Sequence, residues 1–218
     1  MEAQFWHGRW RDNLIAFHKT QPNAYLLKHF HSLQVPAGGR VLVPLCGKSV
    51  DMVWLREQGS LVTGVELSDI AVEDFFTEQN IVTQRRQEGA FALVEGGGIR
   101  LLNGDFFALE PRQVADVSAV YDRAALVALP EEMRRRYVDH LLSLLAPHIP
   151  ILLLTFEYPR GDMEGPPFCV DEAEVRELFA GRRRVTLLET LDRLDEEPRL
   201  AERGLSALSE HAFLLGAL

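Results

Sequence analysis

The chain has 218 residues, is 47% hydrophobic and 25% charged, and carries a net charge of −9, the profile of one globular domain. The acidic balance argues against a nucleic-acid partner, which needs a basic surface. Two cysteines, Cys46 and Cys169, are too few for a disulfide framework or a cysteine-rich zinc site, and no apolar stretch reaches the roughly 18 residues of a membrane span. The N-terminal segment lacks a hydrophobic signal core, so the expected compartment is the cytoplasm. His29 and His31 are the closest histidine pair but have no acids at ligand spacing, and no metal is expected.

In chain order, the first 35 residues read as helical, with Leu14, Phe17, Tyr25, Leu26, Phe30 and Leu33 at helical spacing. Pro36-Ala37-Gly38-Gly39 ends that arm. Val41, Leu42, Val43 and Leu45 form a short apolar run, the pattern of a strand buried on both faces. Cys46-Gly47-Lys48 breaks it, and a helix follows with Val50, Val53, Trp54 and Glu57 on one face and Gly59 as its stop. Leu61 to Leu67 reads as a second strand with Glu66 at its carboxyl end, 19 residues after Gly47. Ser68 suits a cap for a helix carrying Ile70, Val72, Phe75 and Phe76.

Phe91–Val94 and Ile99–Leu102 flank Glu95-Gly96-Gly97-Gly98, a hairpin-like insertion. Val117–Tyr121 is the next strand, with Asp122-Arg123 at its end. Pro130, Glu131 and Glu132 start a helix with an apolar stripe of Met133, Tyr137, Leu141, Leu144 and Leu145. Ile151–Phe156 is a further strand and Glu172–Phe179 a helix, while 185–188 and 211–215 supply the last strands. The clusters Arg134-Arg135-Arg136 and Arg182-Arg183-Arg184 read as solvated faces. Alternating strands and helices indicate an α/β sandwich with a mainly parallel sheet.

In such a sheet, ligands bind outside the carboxyl ends of the strands. Gly47 lets a ligand approach the backbone, and the helix beyond it offers unpaired N–H groups. A carboxylate about 20 residues on is placed to accept from ribose hydroxyls. Because Gly47 is the only glycine of the turn, a pyrophosphate would be poorly cradled. A nucleoside without phosphates, such as S-adenosylmethionine, fits better, and a nicotinamide oxidoreductase is disfavoured for the same reason. Glu66, Asp105 and Asp122-Arg123 end successive strands on one sheet edge.

The chain closely resembles the thiopurine S-methyltransferase family over nearly its whole length. The matching pieces are Trp10 with Ala16-Phe17-His18, VPLCGKSVDM at 43–52, GVELS at 64–68 and FFTEQN at 75–80, followed by YDRAALVAL at 121–129, GPPF at 165–168 and GLSALSEHAFLL at 204–215. The resemblance implies a Rossmann-like, class I methyltransferase fold, α/β, with a seven-stranded mainly parallel sheet, an antiparallel last strand and helices on both faces. It implies one domain over 1–218, monomeric, with 1–36 as a helical lid over the cofactor. It implies S-adenosylmethionine as cofactor, S-adenosylhomocysteine as product and no metal.

Carried over residue by residue, the cofactor set is Trp10, Leu45, Gly47, Glu66, Asp105, Phe106 and Arg123. Asp105 and Phe106 lie in a loosely similar stretch. Phe17 stands beside the substrate or in the core. Arg123, with Arg199 five residues before Gly204, is the catalytic candidate near the reacting sulfur, and the stretch around Arg199 is divergent. Cys46 is not read as a nucleophile, since methyl transfer needs no covalent enzyme intermediate. The implied reaction is direct methylation of the sulfur of aromatic or heterocyclic thiols such as thiopurines, and a soft nucleophile also suggests selenium or tellurium detoxification. The alternatives are an O- or N-methyltransferase of another small molecule and a non-catalytic nucleoside-binding protein.

Overall fold

A computed structural model describes residues 3–15 and 17–218. Ala16 of the Ala16-Phe17-His18 match, and Met1 and Glu2 of the lid segment, lie outside the described residues. Two compact units divide the chain, Met1–Tyr121 and Asp122–Leu218.

The first unit begins with α1 (Ala3–Arg11) and α2 (Ala24–His29), the latter continued by a 3-10 turn at Phe30–Leu33. The arm is therefore less helical than its spacing suggests, because the described residues of 12–15 and 17–23 carry no helix and Leu14 is exposed. Asn23 supplies the reason for the late restart. Its side chain accepts from the N–H groups of Tyr25 and Leu26, so α2 can start only there.

β1 (Arg40–Val43), α3 (Asp51–Glu57) and β2 (Leu61–Glu66) form the expected strand–turn–helix–strand unit. The face of α3 differs from its expected one: Asp51, Met52 and Leu55 are the buried residues, not Val50, Val53 and Trp54. An acid sits in the core there because neutral donors satisfy it. α4 (Asp69–Glu78) starts on Ser68, whose hydroxyl accepts from the Ala71 N–H, as expected.

Three strands follow in series: β3 (Gln84–Glu88), β4 (Phe91–Gly96) and β5 (Ile99–Asn103). β6 (Val117–Asp122) brings the chain to the end of the first unit. Its strand order is β3-β4-β5-β2-β1-β6. β1 pairs in parallel with β2 and β6, and β2 with β5, whereas β3–β4 and β4–β5 are antiparallel. The hairpin at Gly96-Gly97-Gly98 is as expected, but β3 is an added strand. Its sequence, Gln-Arg-Arg-Gln-Glu, has no apolar face, so periodicity could not reveal it. Its charges leave a free edge unsuited to pairing with another chain.

The second unit contains α5 (Glu131–Leu144), β7 (Ile151–Glu157), α6 (Glu172–Phe179), β8 (Arg184–Asp192), α7 (Pro198–Glu202) and β9 (Ser209–Gly216). β9 lies between β7 and β8 and is antiparallel to both, as the resemblance implied for the last strand. Among the described residues nine strands are present where seven were implied, and the extra pair is the β3–β4 ribbon.

The arginine clusters are not wholly solvated. Arg134 is 4% exposed; its Nε donates to the Leu129 carbonyl at 2.9 Å, and its guanidinium pairs with Glu174 of α6. Arg183 is also buried and donates to the carbonyls of Pro147 and Ala146. Periodicity misses both, because a guanidinium enters a core only where partners from distant sequence meet it. Arg134→Ala leaves the Glu174 carboxylate only the exposed Arg160, 3.6 Å away, and should lower unfolding free energy by up to about 3 kcal/mol in urea titrations. Arg135→Ala breaks only an exposed pair with Glu177 and should cost less than about 1 kcal/mol.

Candidate functional site

The turn after β1 is held in a conformation that L-residues seldom adopt. Leu45 has φ 47° and Gly47 φ 53°. A left-handed leucine costs about 1–3 kcal/mol, so the surroundings must over-determine it. Two bonds from β2 do so. The Cys46 N–H donates to the Val65 carbonyl at 3.0 Å, and the Gly47 N–H donates to the Glu66 carboxylate at 2.8 Å.

Glu66 is buried, and its second oxygen accepts from the Ser68 N–H at 2.7 Å. Burial pushes its carboxyl above the usual range, while the N–H groups of Ser68, Gly47 and Leu67 pull it back. Each carboxylate oxygen has about two acceptor positions. Spending one on a backbone N–H leaves the carboxylate able to accept from a pair of hydroxyls. The Asn103 amide donates to the carbonyls of Glu66 and Leu67, tying the ends of β2 and β5 together.

Trp10 of α1 is buried and lies over Gly47, where a Cβ would stand 3.1 Å from its ring. Phe17 meets the rings of Trp6 and Trp10 edge-on, with centroids 5.9 and 5.7 Å apart. The first unit thus brings together Trp10, Phe17, Leu45, Gly47 and Glu66. Asp105 is exposed, and its carboxylate accepts from the Phe107 N–H at 2.9 Å, capping a short 3-10 turn in which Phe106 is buried. Cys46 is buried beside them. Burial, and then the Glu66 charge, hold its thiol well above its usual range, which disfavours the thiolate a nucleophile requires.

Three supporting residues escaped the sequence reading. Asp51, 2% exposed, accepts from the Asn23 N–H at 2.8 Å and from the Tyr121 hydroxyl at 2.9 Å, binding the arm and the end of β6 to the start of α3. Lys48 is buried and paired with Asp74 and Glu78 of α4, which fixes the far side of the turn. Gly64 leaves room for Cys46 and Met52, because a Cβ there would stand 2.6 Å from the Cys46 sulfur. A glycine inside a strand was the one readable signal of the three.

In the second unit, Arg123 is half-buried at the end of β6, and Ala124 behind it has φ 63°, a second left-handed position beside a candidate residue. Asp122 does not simply serve as a counter-ion for Arg123. Its carboxylate accepts from the Tyr137 hydroxyl at 2.6 Å and the Leu126 N–H at 3.2 Å. Arg199 is exposed on α7. His211 is buried between Glu157 and Thr190, at 2.9 and 2.8 Å. Both its ring nitrogens are engaged. Among the described residues no cluster of three or more metal-ligating side chains occurs. No described helix is long and apolar enough to cross a membrane.

Burial raises the Asp122 carboxyl from 3.8 to about 6, against the pull of the Tyr137 hydroxyl and the Leu126 and Ala125 N–H groups. Between those pH values the folded chain holds a proton that the unfolded chain has lost. Its contribution to stability is therefore full at low pH and falls as pH rises through the window. Above the window the buried charge costs about 3 kcal/mol. Asp122→Asn cannot ionise, so its stability relative to wild type should improve by about that amount between pH 4 and pH 7 in urea melts. A difference that stays constant with pH would show that burial does not raise this carboxyl.

Comparison with known proteins agrees with this geometry. A family model described as Thiopurine S-methyltransferase (TPMT) matches residues 1–217. The thiopurine S-methyltransferase of Nitrosospira multiformis is 51% identical over 215 residues, covering 99% of this chain and 98% of that one. The one from Bordetella pertussis is 46% identical over 218 residues and covers 100% of both. Among solved structures, a Burkholderia thailandensis 1,6-didemethyltoxoflavin-N1-methyltransferase with bound 1,6-didemethyltoxoflavin and S-adenosylhomocysteine superposes with a TM-score of 0.61 at 18% identity, covering 99% of this chain and 87% of that one. A SAM-dependent methyltransferase from Anabaena variabilis gives 0.61 at 14% identity, covering 99% and 95%. At these identities the two structures speak to the fold alone.

Proposed function

The chain belongs to the thiopurine S-methyltransferase family, is by that membership an S-adenosylmethionine-dependent methyltransferase, and we propose that its acceptor is the sulfur of an aromatic or heterocyclic thiol. The observation that carries the cofactor half of this reading is the Glu66 carboxylate, bonded to the Gly47 N–H beneath Trp10. The residues fit the group: the carboxylate keeps acceptor positions for ribose hydroxyls, and the turn it shapes contains one glycine and no phosphate cradle. Leu45 acts through its backbone in this reading, and Phe106 and Asp105 border the adenine.

The cofactor supplies a sulfonium methyl group that a nucleophile can take directly, so the protein's task is binding and orientation. An indole face suits a cation, a contact worth roughly 0.5–2 kcal/mol, which assigns Trp10. Holding a nucleophile in line supplies several kcal/mol of barrier lowering without any enzyme base. Arg123, with Arg199 as second cation, favours the ionised form of an acidic thiol. Phe17 offers an aromatic wall, and the arm over 1–36 acts as a lid. The protein works as a cytoplasmic monomer. Methylation of selenium or tellurium species is the natural extension for a site that selects soft nucleophiles.

Calorimetric titration with S-adenosylhomocysteine tests the cofactor half. Micromolar binding is expected, weakened at least tenfold in Glu66→Ala, a loss of about 1.4 kcal/mol or more. A folded wild type that gives no heat would overturn the reading. Protease digestion of the same samples should show the arm protected only when ligand is bound.

The acceptor half is tested by the pH profile of Arg123→Ala with thiophenol. A cation near the sulfur lowers its pKa, so the loss should be greatest at low pH and vanish where the free thiol is already ionised. A loss of equal size at every pH would instead assign Arg123 to cofactor binding.

A further inference from the structure

Two surface segments of the second unit are joined to each other more firmly than their loop character suggests. Tyr158 from the first segment packs with Leu200, Leu205 and Leu208 from the second, and Phe156, Met163, Cys169 and Leu194 close around them. Of this small core only Phe156 comes from the sheet, at the end of β7, and polar latches cross it. The Asp162 carboxylate accepts from both the N–H and the hydroxyl of Ser206, at 3.0 and 2.7 Å. Arg203 donates to the Pro166 carbonyl at 2.9 Å. Gly204 fits between them with φ 106°, a conformation reserved for glycine, and its added Cβ would stand 3.5 Å from the Asp162 carbonyl.

The first segment is also tied down within itself. The Tyr158 hydroxyl donates to the Pro167 carbonyl at 2.7 Å, and the Cys169 thiol to the Tyr158 carbonyl at 3.3 Å. At its far end the Phe168 N–H donates to the Val127 carbonyl at 2.7 Å, and the Phe168 ring lies 5.7 Å from the buried Arg134 guanidinium. The second segment is closed by the Arg193 N–H on the Leu208 carbonyl at 2.8 Å. Arg199 stands on α7, inside this second segment, next to Leu200 of the shared core.

We propose that residues 157–168 and 194–208 form one body, an acceptor-side cap, and that Asp162 and Arg203 are positioning residues that set where Arg199 stands. This rests on the reading of Arg199 as an acceptor-side cation. Asp162 and Arg203 touch only the cap and need make no contact with the acceptor. Their loss should leave cofactor binding alone and loosen the grip on the thiol.

Hydrogen exchange of the full chain tests the single body first. In Asp162→Ala the amides of 198–208 should exchange faster as well as those of 158–168, and Arg203→Ala should reproduce that pattern from the other side. Variants that each loosen only their own segment would overturn the proposal whatever their activity. Steady-state kinetics with thiophenol then test the positioning role. Both variants should raise the thiol KM about tenfold, the loss of a charge-assisted hydrogen bond, with S-adenosylhomocysteine affinity unchanged. Arg203→Lys, which can still donate to Pro166, should recover most of it. Coupled exchange with an unchanged thiol KM would leave the cap standing and overturn the positioning role of Asp162 and Arg203.

Discussion

The carboxylate of Glu66 is the constraint on which the first unit turns. It is buried and is held by the N–H groups of Gly47 and Ser68. Burial pushes its carboxyl up, and the backbone N–H groups aimed at it oppose that. The same two bonds close the strained turn at Leu45–Gly47 and set the start of α4. Trp10 can rest on Gly47 only because that position has no Cβ. Replacing Glu66 therefore disturbs a strand end, a turn and the arm above it together.

Around that carboxylate, the unit is tightened by residues whose partners come from distant sequence. Asp51 binds the arm and the end of β6, and Lys48 binds α4. Each removes freedom from the turn. In the second unit the pattern differs. Burial raises the Asp122 carboxyl to about 6 while Tyr137 orients it, and Arg134 is desolvated against Glu174 and Phe168. These groups fix the backbone on either side of Arg123 and the Gly165–Phe168 loop.

This arrangement suits a reaction in which the cofactor carries the chemistry. Burial holds the Cys46 thiol above its usual range, and His211 has both ring nitrogens engaged. What is organised is backbone geometry, a buried carboxylate and aromatic surface. Rate acceleration in such a site comes from orientation and from electrostatic bias on the acceptor.

The antiparallel last strand was implied by the resemblance, while most of the element order, the turn at Gly47, the acid at Glu66 and the cap at Ser68 were legible in the sequence itself. They depend on local rules: apolar runs of strand length, a glycine where φ is positive, a hydroxyl before a helix. The motif string carried the family for the same reason, since its residues lie close together in the chain. Tertiary structure alone decided the rest. β3 has no apolar face and exists because its backbone pairs with β4. Arg134 and Arg183 are charged and read as solvated, and Asp51 passes unnoticed, until partners from far along the chain satisfy them in the core. Residues 12–23 and the true face of α3 were misread because spacing records which residues could share a face, while burial depends on what that face meets.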